Sequence, residues 1–469
     1  MTLARPDTSI PRIFAGDESP PDAAALAALM RGVRDADLAA PPVVLPDFLH
    51  KPRMEMPSSI AVATRGTIRP AFTASSLNCG MTLLALDGGT AGPEDVVRFL
   101  SETRAAHPWP PGLNRTLGTG DVIAAATLGT EFAVDRYGLP ATARARTEEG
   151  GRLDLDRFGG PAALRREIPW LTRVLSGMRF AAVGPSNHFI ELQRVEAVLD
   201  PPAARALGLS EGGLTIQFHG GGGVLPGQIG RLYARRRKAP TTVRMTMALQ
   251  KPGHHLCSAR SIEQVRRRFA LYFREGAAIP LDGVEGRRVM LAHAAAMNFG
   301  FAFRGAVAAS LAALARRTLG APAVRPVVDS PHNSIYEEDG AIVHRHNACR
   351  AWPAQRFEPG SPFAHTGQAL LLPGTARTSS YVCVAGSGAD ASLYSACHGS
   401  GGIVADFISR GLSRPDPRPR ATLRMRYDGR GPQAAGHYDD RGVDEALSIL
   451  TRHDIARPVA RLRPLGVLH

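Results

Sequence analysis

Apolar residues recur at the spacing of amphipathic helices in several segments of the chain. Residues 22–37 and 93–106 place apolar side chains three and four positions apart, and Pro93 followed by two acidic residues is typical of a helix N-terminus. The longest helical pattern extends from about Glu285 to Leu319. Further helices are predicted over residues 121–138, 161–177 and 261–278.

Short apolar runs bounded by glycine and proline predict the strands. They occupy residues 41–47, 59–66, 81–89, 214–223, 241–250, 368–374 and 380–386. Because helices and strands alternate irregularly and no internal repeat is present, the predicted class is α/β, with mixed sheets and flanking helices, or α+β. The proline-rich residues 1–20 are expected to form a loose arm.

The composition permits a large core and favours an anionic partner. The chain has 469 residues, of which 44% are apolar, enough for one large domain or two to three ordinary ones. A net charge of +14 favours nucleic acid or a nucleotide as partner, although biased codon usage explains the arginine excess equally well. The Pro/Arg-rich residues 413–432 are predicted to be a linker or exposed loop, with an RNA contact as the alternative.

Cysteine usage indicates a reducing compartment. The five cysteines are widely spaced without a CxxC pair, so a disulfide framework is not expected. The N-terminal residues lack the apolar run of a signal peptide. The alanine-rich residues 293–314 carry Asn298 and Arg304, which favours a buried helix over a membrane span. We therefore expect a cytoplasmic protein with free thiols and no membrane association.

Four potential metal ligands lie next to predicted strands, in loops of the kind that gather functional residues. They are Cys79, His188, His219 and His332. One thiolate and three imidazoles suit a divalent transition metal. Because the four are scattered along the chain and match no spaced metal motif, a structural role in a turn or in the core is the alternative for each histidine.

Two glycine-rich stretches suit contact with phosphate. His219 is followed by four glycines, whose backbone N–H groups can turn toward an anion; a flexible loop is the alternative. Lysine occurs only at Lys51, Lys238 and Lys251, none of them in the KxDG-like context of a lysine nucleophile. A covalent nucleotide adduct would then need a histidine, and His398 in "CHGSGG" has small neighbours that admit a phosphate.

Nine segments in consistent order resemble the RtcB-type RNA-splicing ligase family. They include "PDFLHKP" followed by "SSLNCGM", "SNHFIEL", "AAAMNFGFAFR", "SPHNSIYEEDGAIVHRHNACRA", "SACHGSGG" and the final "RPLGVLH". The resemblance covers most of residues 43–469. It implies one large α/β domain, which we place over residues 21–469.

The resemblance also implies a reaction: GTP-dependent RNA ligation with Mn²⁺, one ion or two. His398 would attack the α-phosphate of GTP and become guanylylated. GMP would pass to an RNA 3′-phosphate, released where needed from a 2′,3′-cyclic phosphate, and an RNA 5′-hydroxyl would then displace GMP. The implied roles are tRNA splicing and RNA repair, with an archease-like activator as a further partner.

The resemblance assigns a role to each candidate residue. His398 is the catalytic nucleophile. Cys79 bridges two metal ions. His219 and His332 complete one metal site, and His188 serves the other. The nucleotide contacts are assigned to Asn187, Glu191, Thr375, Ser380, Gly399, Ser400, Gly401 and His469.

The chain departs from the family pattern at five places, four of which remove cations. Ser76 stands where the family has a metal-ligating aspartate, and "HGGGG" lacks the arginine of the family's glycine-rich loop. Gly402 and Asp406 replace family arginines. Family lysines are replaced by His346 and His469. Productive binding of RNA ends then requires other cations, for which the candidates are Arg345, Arg350 and Arg377.

Two functions follow from this pattern. The first is a divergent, active GTP-dependent RNA ligase, favoured because the nucleophile and the metal-binding histidines and cysteine are kept. The second is a non-ligating paralogue that binds metal and nucleotide and acts as a sensor or regulator of RNA ends. A metal-dependent phosphoesterase that only opens the cyclic phosphate is a third alternative.

Overall fold

The computed structural model describes residues 8, 10–51, 54–111, 116–178, 180–185, 187–237 and 239–469. The strands in this part of the chain are β1 (Arg12–Ile13), β2 (Val43–Leu49), β3 (Ser58–Thr64), β4 (Thr67–Ile68), β5 (Gly80–Asp87), β6 (Phe189–Val198), β7 (Leu214–Gly220), β8 (Ile279–Pro280), β9 (Ala323–Pro331), β10 (Asn333–Glu338), β11 (Ala341–His346), β12 (Ala348–Arg350), β13 (Ala369–Leu372), β14 (Ser380–Ala385), β15 (Ser395–Cys397), β16 (Ala421–Met425), β17 (Gln433–Gly436) and β18 (Ala456–Leu468).

The α-helices in the same part of the chain are α1 (Ala23–Val33), α2 (Pro93–Ala106), α3 (Thr119–Leu128), α4 (Thr130–Tyr137), α5 (Ala143–Arg146), α6 (Gly160–Glu167), α7 (Trp170–Met178), α8 (Pro201–Leu207), α9 (Val224–Leu232), α10 (Thr241–His255), α11 (Ile262–Phe273), α12 (Val284–Leu319), α13 (Gly401–Ser409) and α14 (Arg441–Arg452).

The largest sheet has nine strands and carries the candidate site. Seven of them follow the order β13–β14–β18–β6–β7–β5–β9, each antiparallel to its neighbour. β16 pairs in parallel with β18 and antiparallel with β17, so the sheet is mixed. A five-stranded sheet, β1–β2–β3–β11–β10, is also mixed because β1 and β2 are parallel. The predicted α/β class with mixed sheets and flanking helices is confirmed.

The long helix α12 lies against the largest sheet. It packs on β5 and β9 and on the helices α2, α3, α4 and α9. Its buried Asn298 is satisfied by the backbone of Leu153, which donates to Oδ1 at 2.7 Å and accepts from Nδ2 at 3.1 Å. By length and composition α12 could cross a membrane, but 83% of its most apolar window is buried inside the protein. The prediction of a buried helix is confirmed.

The other helix predictions hold, with two subdivisions. The segment 121–138 divides into α3 and α4 at Gly129, whose φ of 60° interrupts the helical backbone. The segment 161–177 divides into α6 and α7 around Pro169, since proline lacks the N–H that a continuous helix would use. In α11, Ser261 caps the helix N-terminus by accepting a hydrogen bond from the Gln264 N–H.

The strand predicted over residues 241–250 is wrong, because this segment is the first part of α10. Lys251 Nζ donates to the carbonyls of Arg231 and Ala234, both at 2.7 Å. His255 Nε2 lies 2.9 Å from the carbonyl of Leu232. Lys251 and His255 are four residues apart and therefore share one helix face. Lys251 and His255, which anchor α10, therefore lie C-terminal to the β-branched residues of the segment predicted as a strand.

Two segments expected to be loose are packed. In the arm predicted over residues 1–20, β1 pairs with β2 and Phe14 is buried, whereas residues 1–7 and 9 lie outside the described residues. The linker or loop predicted over 413–432 contains β16, in which Met425 is fully buried. Pairing with the sheets accounts for both differences. The division into an arm and one domain stays a prediction.

Candidate functional site

Three of the four potential metal ligands lie at the same end of neighbouring strands. Cys79 directly precedes β5, His219 lies on β7, and His332 directly follows β9. β5 is hydrogen-bonded between β7 and β9. Strand pairing therefore brings Cys79 Sγ within 3.2 Å of His219 Nε2, and His219 Nε2 within 3.0 Å of His332 Nε2.

The fourth potential ligand, His188, completes the cluster from the start of β6. Its Nε2 lies 3.6 Å from Cys79 Sγ, and the ligand atoms of Cys79, His188 and His219 all lie within 4.8 Å of one another. The Nδ1 atoms of His188 and His219 lie 3.1 and 2.8 Å from the carbonyls of Val183 and Asn187. These carbonyls hold each ring with Nε2 toward the cluster, as is typical of metal-binding histidines.

The electrostatics of the cluster fit a divalent cation. Burial raises the pKa of the Cys79 thiol to about 12 and lowers the pKa values of His188, His219 and His332. The buried Nδ1 of His332 has no hydrogen-bond partner among the described residues. Neutral imidazoles with free lone pairs and a thiol that a cation would deprotonate are the donor set of a transition-metal site. The residues present therefore fit the implied metal.

The loop that carries Cys79 is held by a buried arginine to which the sequence assigned no functional role. Arg304 on α12 donates to the Oδ1 of Asn78 at 2.7 Å and also bonds the Asn78 carbonyl. The same guanidinium pairs with Asp329 on β9 at 2.5 Å. Ser76, three residues before Cys79, has its hydroxyl 3.4 Å from the amide nitrogen of Asn333. The loop thus presents a neutral oxygen in place of the family's carboxylate.

His398 lies between β15 and α13, and its ring stacks on His332. The ring centroids are 4.4 Å apart and the planes differ by 14°. Burial lowers the pKa of His398 to about 4, so the imidazole is neutral near pH 7. Its Nδ1 is buried and has no hydrogen-bond partner among the described residues. His398 lines a cavity of about 620 Å³, so a neutral imidazole is presented to a space of ligand size.

Most of the predicted nucleotide contacts line this cavity, called the His398 cavity below. These residues are Asn187, Glu191, Thr375, Ser380, Gly399, Gly401 and His469, together with the potential metal ligand His188. Ser400 does not line it, because its side chain is fully buried and its hydroxyl donates to the Pro373 carbonyl at 3.0 Å. Any contact of Ser400 with a nucleotide would have to involve its backbone.

Besides His469, three substitutions relative to the family pattern can be located at or near the His398 cavity: Gly402, Asp406 and His346. The N–H of Ile403, in the first turn of α13, donates to Oδ1 of Asp47 at 2.9 Å. A Cβ on Gly402 would lie 2.6 Å from the same oxygen. The carboxylate of Asp47 therefore occupies the anion-binding end of α13, and a side chain at 402 would require the Asp47 carboxylate to move. Asp406, further along α13, forms an ion pair with Arg410 at 2.8 Å. His346 lies near the cavity, because the next residue, Asn347, lines it.

The arginines expected to compensate for the missing cations are already engaged. Arg345 forms a buried pair with Glu338 at 2.7 Å, and Arg350 pairs with Glu149. Arg377 Nε donates to the carbonyl of Gly436 at 2.8 Å. Among the residues described as lining the His398 cavity, none of the three arginines occurs. The expectation that they supply the missing charge is therefore not supported by their positions.

The cavity instead contains Arg424, which sequence reasoning missed. Arg424 on β16 lies opposite Val467 on β18, and Val467 lies opposite Glu191 on β6. All three line the cavity in one row across the sheet. Arg424 donates to His469 Nε2 at 3.1 Å, and its buried Nε has no partner among the described residues. The available signal was the arginine-rich segment 413–432, but only strand pairing places one of its arginines here.

Glu191 should make the stability of the ligand-free protein fall with rising pH. Burial raises the pKa of Glu191 from 4.5 to about 8 and outweighs the hydrogen bond from Gln193 Nε2, which donates to the carboxyl at 2.7 Å and acts in the opposite direction. A raised pKa in the folded state means that the stabilisation is complete below pH 4.5 and is lost as pH rises through 8. Over that window Glu191 lowers the free energy of unfolding by about 1.4 kcal/mol per pH unit.

In urea titrations at pH 6 and pH 9, Glu191→Gln should flatten this dependence, while the exposed Glu211→Gln should leave it unchanged. Equal slopes for the wild-type protein and Glu191→Gln would show that Glu191 does not titrate in this window.

Comparison with known proteins agrees with this arrangement. The family model described as tRNA-splicing ligase RtcB matches residues 37–469. The chain is 28% identical over 428 residues to the RNA-splicing ligase RtcB of Mycobacterium tuberculosis, covering 86% of this chain and 90% of that protein. It is 26% identical over 435 residues to the tRNA-splicing ligase RtcB of Thermococcus kodakarensis, covering 86% and 82%. Because the match spans nearly the whole chain and contains the cysteine–histidine cluster, this chain belongs to the RtcB family of tRNA-splicing ligases.

Proposed function

We propose that this protein is a divergent RNA ligase that joins an RNA 3′-phosphate or 2′,3′-cyclic phosphate end to a 5′-hydroxyl end, using GTP and Mn²⁺. The observation that carries the proposal is the placement of His398. Its neutral ring stacks on a residue of the cysteine–histidine cluster and faces a cavity large enough for a nucleotide. The RNA-ligase names of the relatives support RNA ends as the substrate class.

In this proposal Cys79, His188, His219 and His332 hold one or two Mn²⁺ ions. The bound cation would offset the negative charge of the triphosphate and of the departing pyrophosphate. The protein itself keeps the four ligand atoms close together. Strand pairing positions Cys79, His219 and His332, and the Val183 carbonyl orients His188. Ser76 offers only a neutral oxygen, so the cluster has one fewer anionic ligand than the family pattern.

His398 forms and then breaks one bond to phosphorus. Its Nε2 lone pair attacks the α-phosphorus of GTP, an N–P bond forms, and the P–O bond to pyrophosphate breaks. An oxygen of the RNA 3′-phosphate next attacks this phosphorus, the N–P bond breaks, and the RNA end carries GMP. The 5′-hydroxyl oxygen of the second RNA then attacks the RNA phosphorus, loses its proton to solvent, and expels GMP. Since His398 is neutral near pH 7, no deprotonation precedes the first step.

Arg424 is proposed to read the base of the bound nucleotide. Its guanidinium can donate two hydrogen bonds to O6 and N7 of guanine, a pattern that adenine cannot accept. Glu191, in the same row of the sheet, faces the cavity one strand beyond Val467 and can meet the donor edge of the base. This arrangement would restore a cation at the place where the family ends in lysine and this chain ends in His469.

We expect Arg424→Gln to reduce the preference for GTP over ATP by about tenfold, since a bidentate contact to guanine contributes about 1–3 kcal/mol. Equilibrium binding of the two nucleotides by titration calorimetry measures this preference. Arg426→Gln is the matched control, because Arg426 lies on the same hairpin, pairs with Asp428 and does not line the His398 cavity. An unchanged preference in Arg424→Gln would exclude Arg424 from base recognition.

The non-ligating paralogue is kept as a second candidate because Asp47 occupies the N-terminus of α13. That carboxylate accepts the Ile403 N–H at a helix N-terminus, which is a kind of site that can bind phosphate, next to the His398 cavity. A protein with this contact could form the guanylylated histidine and yet fail to join RNA. Guanylylation and RNA joining therefore have to be measured separately.

The test of the proposed function is incubation with Mn²⁺ and α-labelled GTP. We expect acid-labile, base-stable labelled protein, and joined RNA when 3′-phosphate and 5′-hydroxyl ends are added. Labelling without joining would favour the sensor or regulator of RNA ends, including a protein that needs an archease-like activator, which can be added in the same assay. The absence of labelling, with metal still bound, would overturn the ligase proposal.

A further inference from the structure

A second cavity, of about 740 Å³, lies between α6, α10, α11 and α12 and shares no lining residue with the His398 cavity. It is rich in cations. Glu167 is the one carboxylate residue among its described lining residues. The arginines that line it are Arg166, Arg260, Arg268, Arg287 and Arg288. No step of the proposed ligation uses this cavity, which is called the arginine cavity below.

The inner wall of the arginine cavity is rigid and electrically balanced. Arg268 pairs with Glu285 at 2.8 Å, and both are buried. Arg288 bridges Glu285 at 2.7 Å and Glu167 at 3.0 Å. Tyr272 donates at 2.7 Å to Oε2 of Glu285, the oxygen that also accepts from Arg288. Because these charges are paired and hydrogen-bonded, they hold the wall in place and leave the binding of a ligand to the rim.

The rim of the arginine cavity carries unpaired positive charge. Arg166, Arg260 and Arg287 are exposed, and in the part of the chain that the structure describes none of them forms an ion pair. Arg287 donates only to the backbone carbonyl of Asp282, at 3.2 Å. Three guanidinium groups that are free to move and converge on one cavity attract an anion with several charges.

Apolar surface lies between the cations of the arginine cavity, and it favours a nucleic-acid strand over a free phosphate as the ligand. Phe158 and Leu291 line the cavity, and Val284 at its mouth is 56% exposed. On the adjoining α11, Phe269 is 45% exposed and is preceded by the exposed arginines at 266 and 267. Alternating cations and apolar or aromatic surface suit the phosphates and bases of a single strand.

α12 extends from the arginine cavity to the loop that carries Cys79. Arg288 lines the arginine cavity, and Arg304, which holds the loop of Cys79, follows sixteen residues later on the same helix. At 1.5 Å per residue the separation along the axis is about 24 Å. A strand whose end reaches His398 would therefore meet the arginine cavity only after several nucleotides.

We propose that the arginine cavity is a second RNA-binding site, which holds the phosphates and bases of the strand whose end enters the His398 cavity. The proposal rests on RNA being the substrate, as the proposed function holds. It assigns Arg166, Arg260 and Arg287 to binding of the body of the RNA and not to the chemistry at its end.

The test is fluorescence anisotropy with a single-stranded RNA of about 20 nucleotides ending in a 3′-phosphate, longer than the usual sites for single strands. The triple variant Arg166→Gln, Arg260→Gln, Arg287→Gln should bind this RNA about tenfold more weakly. Its slope of log affinity against log salt should be smaller by about 2, since three phosphate contacts are lost. An RNA of about four nucleotides should bind the wild-type protein and the triple variant equally.

A matched control removes the same charge elsewhere. Arg98, Arg144 and Arg317 are exposed and each pairs with a carboxylate. The triple variant with glutamine at these three positions should bind RNA within about twofold of the wild-type protein. Val284→Glu, which adds an anion at the exposed mouth of the arginine cavity, should weaken binding of the long RNA without disturbing the fold.

Each outcome bears on the proposal. Equal weakening by both triple variants, equal binding of long RNA by all proteins, or no RNA binding by the wild-type protein would overturn it. Loss of GTP binding in the first triple variant would assign the arginine cavity to a nucleotide triphosphate and would also overturn it. Labelling of His398 by GTP is read separately, so failure of ligation is distinguished from failure of this second site.

Discussion

Replacement of His398 by alanine will abolish the labelled protein formed with α-labelled GTP and, with it, RNA joining. The ring is neutral, stacks on His332 and lines the His398 cavity, where the proposed reaction needs a nucleophile beside the metal cluster. Loss of a covalent nucleophile costs about 10⁴-fold or more in rate. Quantitative labelling with Mn²⁺ at pH 7 to 8, followed by acid and base treatment of the adduct, measures the effect.

Two controls separate the chemistry of His398 from its packing. His365→Ala removes an exposed histidine and should label at the wild-type rate. Binding of Mn²⁺ and GTP by His398→Ala, measured by calorimetry, should remain within about tenfold of the wild-type values, because His398 is a stacking neighbour of the cluster and not one of the four proposed ligands. Undiminished labelling of His398→Ala would show that the adduct forms elsewhere.

The second large effect is expected at Cys79. Cys79→Ala removes the sulfur that lies 3.2 Å from His219 Nε2 and 3.6 Å from His188 Nε2. Since changes in residues that merely support a metal site lower metal affinity about 10- to 100-fold, loss of the proposed bridging ligand should lower it by about 100-fold or more. Titration with Mn²⁺ measures the affinity directly. Substitution with Co²⁺ should give the near-ultraviolet absorption of a cobalt–thiolate bond in the wild-type protein and not in Cys79→Ala.

Other cysteines of the chain provide the controls for this effect. Cys257→Ala alters an exposed thiol and Cys383→Ala a buried one that lies on β14. Both variants should keep the metal affinity and the cobalt–thiolate absorption. Retention of that absorption in Cys79→Ala would show that another sulfur binds the metal and would contradict the proposed cluster.

Local elements were predictable from the sequence because their periodicity is local. The burial of α12 could be read from its alanine-rich composition and its length, and α2 begins at Pro93, as its N-terminal chemistry indicates. The segment 241–250 was misjudged because its β-branched residues suggested a strand. The carbonyls that hold α10 in place through Lys251 and His255 belong to α9 and the residues after it.

The composition of the site was predictable only in part. Family motifs indicated Cys79, His219 and His332, but their convergence depends on β5 pairing with both β7 and β9, which no local pattern encodes. Arg424 could not be singled out among the arginines of residues 413–432, because its position depends on the parallel pairing of β16 with β18. Conversely, the sequence alone leaves Arg345 available to bind a phosphate. Its ion-pair partner, Glu338, is identified only once β10 and β11 are paired.

The position of β5 between β7 and β9 has a consequence for how this family can diversify. The spacing of the sulfur and two of the imidazoles is set by main-chain hydrogen bonds, which do not depend on the identity of the surrounding side chains. Substitutions among the residues that line the His398 cavity can therefore accumulate one at a time without displacing the cysteine–histidine cluster. Such a frame is compatible with wide divergence of sequence, of the extent that the 28% and 26% identities to two relatives show.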